Sequence, residues 1–258
     1  MRSSPSPRRA GAFTLLELMV VLAVVAVLLG GLAIPIAAQV HARRVEDTRK
    51  RLDESRDALL AFAAAQGRLP CPASASSRGE EAFAPGGDAA NGMCAGFHDG
   101  FLPAASLGLA PLDRDGFLRD AWHEEANRIR YAVHGGTIGG VAHALTRANG
   151  MQMATLPALG DAAHYLYVCA TGGGVSAAGC GPAANQLTRR AAFVLLSAGA
   201  NAPLPPPAAS DEARNLDGDG VFVSRDASVA AGREFDDLLH WGSIHAVIHR
   251  LLAGGRLP

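Results

Sequence analysis

From Leu18 to Ala38 the chain runs for 21 residues without a charge, roughly 31 Å as an α-helix and enough to cross the hydrocarbon layer of a bilayer. One acid, Glu17, stands at the head of this run, and Arg2, Arg8 and Arg9 precede it with no acid among them. The positive-inside rule then keeps the N-terminus in the cytoplasm and sends the rest of the chain outward. A secretory signal peptide fits less well, because its apolar region runs about 7 to 15 residues and ends in a small-x-small cleavage site. A carboxylate near membrane depth costs roughly 2.5 to 3.5 kcal/mol on insertion scales. No Lys or Arg inside the span is present to pair with it, so Glu17 needs a partner from elsewhere.

Past the apolar run, VHARRVEDTRKRLDESRDALLAFAAAQ keeps a helical pattern, with Val45, Leu52 and Leu59 recurring every seven residues among charges. Gly67 and Pro70 in GRLPCP stop it, since Gly favours a helix end and Pro lacks the amide needed to continue. The pattern predicts one long helix over residues 13–66, with 13–38 spanning the membrane and 39–66 continuing beyond it. Pro35 predicts a kink. So few heptads do not make a free coiled coil, and the side carrying Val45, Leu52, Leu59 and Phe62 is expected to pack on a globular domain.

That domain is residues 67–258. Short β-branched or aromatic runs at IRYAV (Ile129–Val133), YLYVCAT (Tyr165–Thr171), AFVLLS (Ala192–Ser197) and VFVS (Val221–Ser224), separated by turn residues, predict an antiparallel sheet. Leu238, Trp241, Ile244, Ile248 and Leu251 follow three- and four-residue steps and predict an amphipathic helix over one sheet face. The preceding Asp236 and Asp237 are placed to cap it or to bind an ion. The 30 Gly and 15 Pro indicate long loops. The fold class is therefore α+β, a long N-terminal helix packed on an antiparallel-sheet domain.

The net charge of −1 becomes more acidic without residues 1–12, which leave 20 basic against 24 acidic residues, and this does not indicate a nucleic-acid surface. Four cysteines, Cys71, Cys94, Cys169 and Cys180, all lie in the part placed outside the cytoplasm, where disulfides persist. Of three possible pairings, Cys71 with Cys94 and Cys169 with Cys180 close the shortest loops and are expected. Zinc is the rival, weakly supported because no CxxC occurs and His98 and His164 are irregularly spaced from the cysteines.

NLDGDGVFVSRD places Asn215, Asp217, Asp219, Gly220 and Asp226 at positions one, three, five, six and twelve of a calcium-loop pattern, where oxygen ligands surround a hard cation. An Asp replaces the bidentate Glu at the last position, and a solvated Asp/Gly turn explains the same residues without an ion. Both readings stand, with structural Ca2+ as the possible cofactor. Catalytic signatures are poor. LLSAG around Ser197 lacks the first glycine of a nucleophile elbow, His123-Glu124 has no second His four residues on, and GGTIGG lacks the residues of a phosphate loop. The chain is not expected to be an enzyme.

GAFTLLELMVV, residues 11–21, resembles the processing site of type IV prepilins and type II secretion pseudopilins. The resemblance implies a pilin-like fold, cleavage by prepilin peptidase between Ala12 and Phe13, and methylation of the new Phe13 amine. Gly11 and Ala12 would end the leader over residues 1–12, with Ala12 where the family has Gly. Pro35 lies one residue further from the cut than the family's helix-kinking proline. The resemblance also supplies the missing partner for the acid: the Phe13 ammonium of one subunit against Glu17 of its neighbour in a filament. It implies other pilin or pseudopilin subunits and an inner-membrane assembly platform as partners. The chain would be single-pass in the inner membrane, its C-terminal domain periplasmic or in an extracytoplasmic filament. AFVLLSAGAN followed by NLDGDG and EFDDLLHW looks like the C-terminal layout of major pseudopilins, which bind calcium in a loop there. The reading is a pseudopilin-like or minor pilin subunit of a type II secretion pseudopilus or related filament. Its competitor from another class is an uncleaved single-span, membrane-anchored extracytoplasmic binding protein or enzyme.

Overall fold

The computed structural model describes residues 14–122, 125–161, 163 and 165–257, without the side chains of residues 28–35. Gly11, Ala12, Phe13, His123, Glu124 and His164 lie outside the described residues, as does the side chain of Pro35. The chain divides into two compact units, Met1–Arg44 and Val45–Pro258.

Helix α1, Leu15–Gln66, contributes to both units. Thr14 opens it, its hydroxyl accepting the Glu17 amide at 3.3 Å. At the other end Gly67 takes φ +71° and its amide bonds the Ala63 carbonyl at 2.8 Å, the left-handed stop that glycine adopts without steric cost. Within the larger unit, α1 buries Thr48, Leu52, Ser55, Leu59, Leu60 and Ala63. The steps of three and four put these on one face.

The larger unit carries a curled, mixed six-stranded sheet. In order these strands are β1 (Gly100–Phe101), β2 (Arg130–Val133), β4 (Gln186–Ser197), β3 (Leu166–Cys169) and β5 (Val221–Val223), and β6 (Leu238–Ser243) also pairs with β4. The long β4 is the hub: β2 lies against residues 193–196, β6 against 191–197 and β3 against 186–191. Alternation divides its side chains between two cores, as the two-residue period of a strand requires. Phe193 and Leu195 join Tyr131 and Val133 of β2, together with Leu52 and Leu59 of α1. Val194 and Leu196 join Leu166, Val168, Phe222 and Phe235 on the opposite face.

Two sequence expectations are corrected. The sheet is not wholly antiparallel, because β3 and β5 pair in parallel from Tyr167↔Val221 to Cys169↔Val223. The chain leaves β4, crosses past β3 through residues 198–220, and returns on its far side in the direction of β3, a route that only a long connection permits. The C-terminal helix does not begin near Leu238. Residues 238–243 are β6, hydrogen-bonded to β4, and α5 is Ile244–Ala253. Its N-cap is Ser243, whose hydroxyl accepts the Ala246 amide at 3.2 Å, so neither Asp236 nor Asp237 caps it. Ile244, Val247 and Leu251 form its buried stripe, in the same core as α1. Two short helices, α2 (Gly150–Met153) and α3 (Leu156–Asp161), and a third, α4 (Asp211–Arg214), complete the fold.

Candidate functional site

In the smaller unit, the described large apolar side chains from Leu15 to Val27 are all exposed, from 43% at Val25 to 75% at Leu15 and Val27. Exposure extends over thirteen successive residues and therefore around the whole circumference of α1. A helix apolar on every side requires cover from lipid or from other helices. Glu17, the one acid of this stretch, is exposed in the first turn, where a carboxylate also complements the helix dipole. Thr14-Leu15-Leu16-Glu17 has the T-x-x-E form of a capping box, and the Thr14 half of it is made. Among the described residues no helix is long and apolar enough to cross a membrane.

The four cysteines form the two expected local pairs, Cys71–Cys94 and Cys169–Cys180, with Cα separations of 5.3 and 5.4 Å. Each clips a loop-rich segment. Inside the first, Glu81 accepts two hydrogen bonds from Arg68, at 2.8 and 3.0 Å, and one from the Cys71 amide at 3.2 Å. Arg68 also packs over the rings of Phe62 and Phe83, so α1, the helix stop and the first disulfide loop share one charged contact.

The calcium-loop residues do not converge as the sequence pattern predicts. Asn215 is buried and spans an edge of β5: its Oδ1 accepts the Val223 amide at 2.7 Å, while its Nδ2 donates to the Val223 carbonyl and to Asp237 Oδ2. Asp217 and Asp219 are neighbours that accept amides of their own turn, from Asp219 and Val221 respectively. Partial burial and the adjacent Asp217 raise the pKa of Asp219 against the lowering effect of the Val221 amide. Asp226 joins no three-acid group with them among the described residues. The acids that do meet are Glu212, Asp236 and Asp237, with carboxylate oxygens within 4.8 Å of one another, and these oxygens are the ones a hard cation could share. Asp237 is pushed up to about 8, chiefly by burial, with the Glu212 and Asp236 charges adding and the Asn215 hydrogen bond opposing. The spacing rule missed this group because Glu212 and Asp237 come from opposite sides of β5 in the chain.

Sequence patterning missed the polar clamp on α1. Arg51 Nη1 donates to the carbonyls of Arg119 and Asp120 at 2.7 and 2.6 Å. The buried Asp120 carboxylate accepts from Ser197 Oγ at 2.6 Å, Asn127 Nδ2 at 3.0 Å and the Trp122 amide at 2.9 Å. Burial raises its pKa, and those hydrogen bonds and Arg51 oppose the rise. The available hint was Thr48 and Ser55, polar residues in step with the apolar face of α1.

No curated protein and no solved structure matches the chain. Residues 7–33 match the family model of the prokaryotic N-terminal methylation motif. That interval contains Gly11, Ala12, Phe13 and Glu17 and the start of the exposed apolar helix. The chain therefore carries the type IV prepilin and pseudopilin signature, a motif that implies processing by prepilin peptidase and assembly with other pilin subunits.

Proposed function

We propose that the protein is a pseudopilin-like or minor pilin subunit. Cleavage falls between Ala12 and Phe13, the Phe13 amine is methylated, and the mature chain is held in the inner membrane by residues 13–38 until an assembly platform draws it into a type II secretion pseudopilus or related filament. The domain beginning at Gly67 stays outside the cytoplasm, where its disulfides persist. Its work is assembly rather than catalysis.

The observation carrying this reading is a lone acid, Glu17, in the Leu15–Val27 stretch of α1, which is exposed on all sides and lies inside a matched methylation motif. An apolar circumference favours helix bundling or lipid, but neither explains an acid. A neighbour's processed ammonium does, since the two charges satisfy each other away from water and only in one register.

Mass spectrometry of the native N-terminus tests the reading. A chain beginning with N-methylated Phe13 is expected. A chain that still begins at Met1 would instead assign the protein to single-span membrane-anchored proteins.

A further inference from the structure

Arg43 and Arg44 follow the uncharged run closely, five and six residues past Ala38, and no acid occurs between Glu17 and Glu46. Both side chains are exposed, and neither forms an ion pair or a side-chain hydrogen bond among the described residues. Later cations of α1 are engaged: Arg51 holds the carbonyls of Arg119 and Asp120, while Lys50 and Arg56 face Glu54 and Asp57. Two adjacent guanidiniums are therefore left with their charge uncompensated.

Ile36, Val40, Arg43 and Arg44 follow steps of four, three and one and share one face of the helix. Ile36 and Val40 are 57% and 44% exposed. At 1.5 Å per residue this face passes from apolar to doubly cationic within about 12 Å. The two arginines lie roughly 8 and 9 Å beyond Ala38, just outside the hydrocarbon if the uncharged run spans it. Helical side chains lean toward the N-terminus, here the apolar end, and away from the first following acids, Glu46 and Asp47. Each arginine stem can thus lie along the apolar surface with its guanidinium drawn back into the headgroup layer.

From this placement we infer that Arg43 and Arg44 form a binding site for the headgroup of an anionic phospholipid, in the leaflet facing away from the cytoplasm. A guanidinium can bond two phosphate oxygens at once. A zwitterionic headgroup neutralises its phosphate with its own ammonium, whereas an anionic one keeps a net charge that the two free cations match. Lipid is favoured over the acids of a second copy because Ile36 and Val40 continue the same face into apolar surface that acyl chains cover. The contact holds the helix at a fixed depth while it is stored in the membrane. It rests on the membrane placement in the proposed function, and it does not require cleavage at Phe13.

The test reconstitutes the full chain in phosphatidylcholine vesicles with a trace of spin-labelled phosphatidylglycerol or spin-labelled phosphatidylcholine, at physiological ionic strength. The motionally restricted fraction of each label gives the preference for the anionic lipid. Arg2, Arg8 and Arg9 of an uncleaved chain attract the same lipid, so the quantity read is the drop from parent to variant. Arg43→Gln/Arg44→Gln should lower the preference by at least about fivefold, the effect of one cation at an anionic surface. Arg49→Gln/Lys50→Gln removes the same charge roughly 17 Å past Ala38, more than the ~8 Å Debye length from the headgroups, and should leave the preference unchanged. No drop in the first variant, or an equal drop in the second, overturns the site. An alkaline wash of the vesicles precedes the measurement. A chain that washes off overturns both this site and the proposed membrane placement, whereas an inserted chain whose preference ignores Arg43 and Arg44 overturns the site alone.

Discussion

The Thr48 hydroxyl accepts the backbone amide of Ala121 at 3.1 Å, and Thr48 is completely buried. One helical turn on, Arg51 takes the two carbonyls just before that amide. The Ala121 amide and the carbonyls of Arg119 and Asp120 are thus satisfied from one face of α1, a directional contact that apolar packing cannot supply. Replacing Thr48 by Val keeps the shape and removes the acceptor, leaving a buried amide unsatisfied. The expected loss is about 1–3 kcal/mol, read as a lower denaturation midpoint, whereas Thr48→Ser should retain most of the stability.

The disulfides close sequence separations of 23 and 11 residues. By the chain-entropy relation each contributes about 3 kcal/mol. The Cys71→Ser/Cys94→Ser and Cys169→Ser/Cys180→Ser double variants should each melt well below the parent under identical conditions. Thiol counting on the denatured, unreduced parent should find no free thiol, and two or more would contradict the pairing.

Asp237 is a buried acid raised to about 8 by desolvation, with the Glu212 and Asp236 charges adding to the rise. In the unfolded chain it titrates near 3.9. Between those values the folded state holds the proton that the unfolded state has released, so this group's contribution is fully present below about 4 and is lost as the pH rises toward 8. Asp237→Asn retains an oxygen able to accept from Asn215 and removes the titration. With chelator present, so that no cation competes with the proton, the variant's midpoint should fall less than the parent's between pH 5 and 8. Parallel pH curves would show that Asp237 titrates normally.

What the sequence made legible was local. The end of α1 follows from Gly67 and Pro70, and the disulfide partners from the shortest loops. Strands around Arg130–Val133, Leu166–Cys169 and Ala192–Ser197 follow from β-branched and aromatic runs. What it concealed depended on the destination of the chain. Residues 238–243 have helical spacing in Leu238 and Trp241, but a hydrogen-bonding edge of β4 is available there and the segment becomes a strand. Asn215 sits first in a calcium-loop pattern and is instead occupied with the backbone of Val223. Asp120, Ser197 and Asn127 meet across as many as 77 residues, which no periodicity reports.

Glu17 gives the most discriminating prediction. Thr14 Oγ1 caps the backbone amide of Glu17 rather than its carboxylate, so Glu17→Gln keeps the helix start and removes only the charge. The neutral side chain should enter the membrane more readily, because the carboxylate costs roughly 2.5–3.5 kcal/mol there; poor insertion therefore cannot explain a defect. If the Phe13 ammonium of a neighbour neutralises this acid, the variant leaves that ammonium buried and unpaired, at about 3–5 kcal/mol per contact. The variant should be cleaved and methylated at Phe13 like the parent, remain in the membrane fraction, and yield few or no filaments when sheared fractions are immunoblotted. Filaments at parental yield would show that the charge of Glu17 plays no part in subunit register.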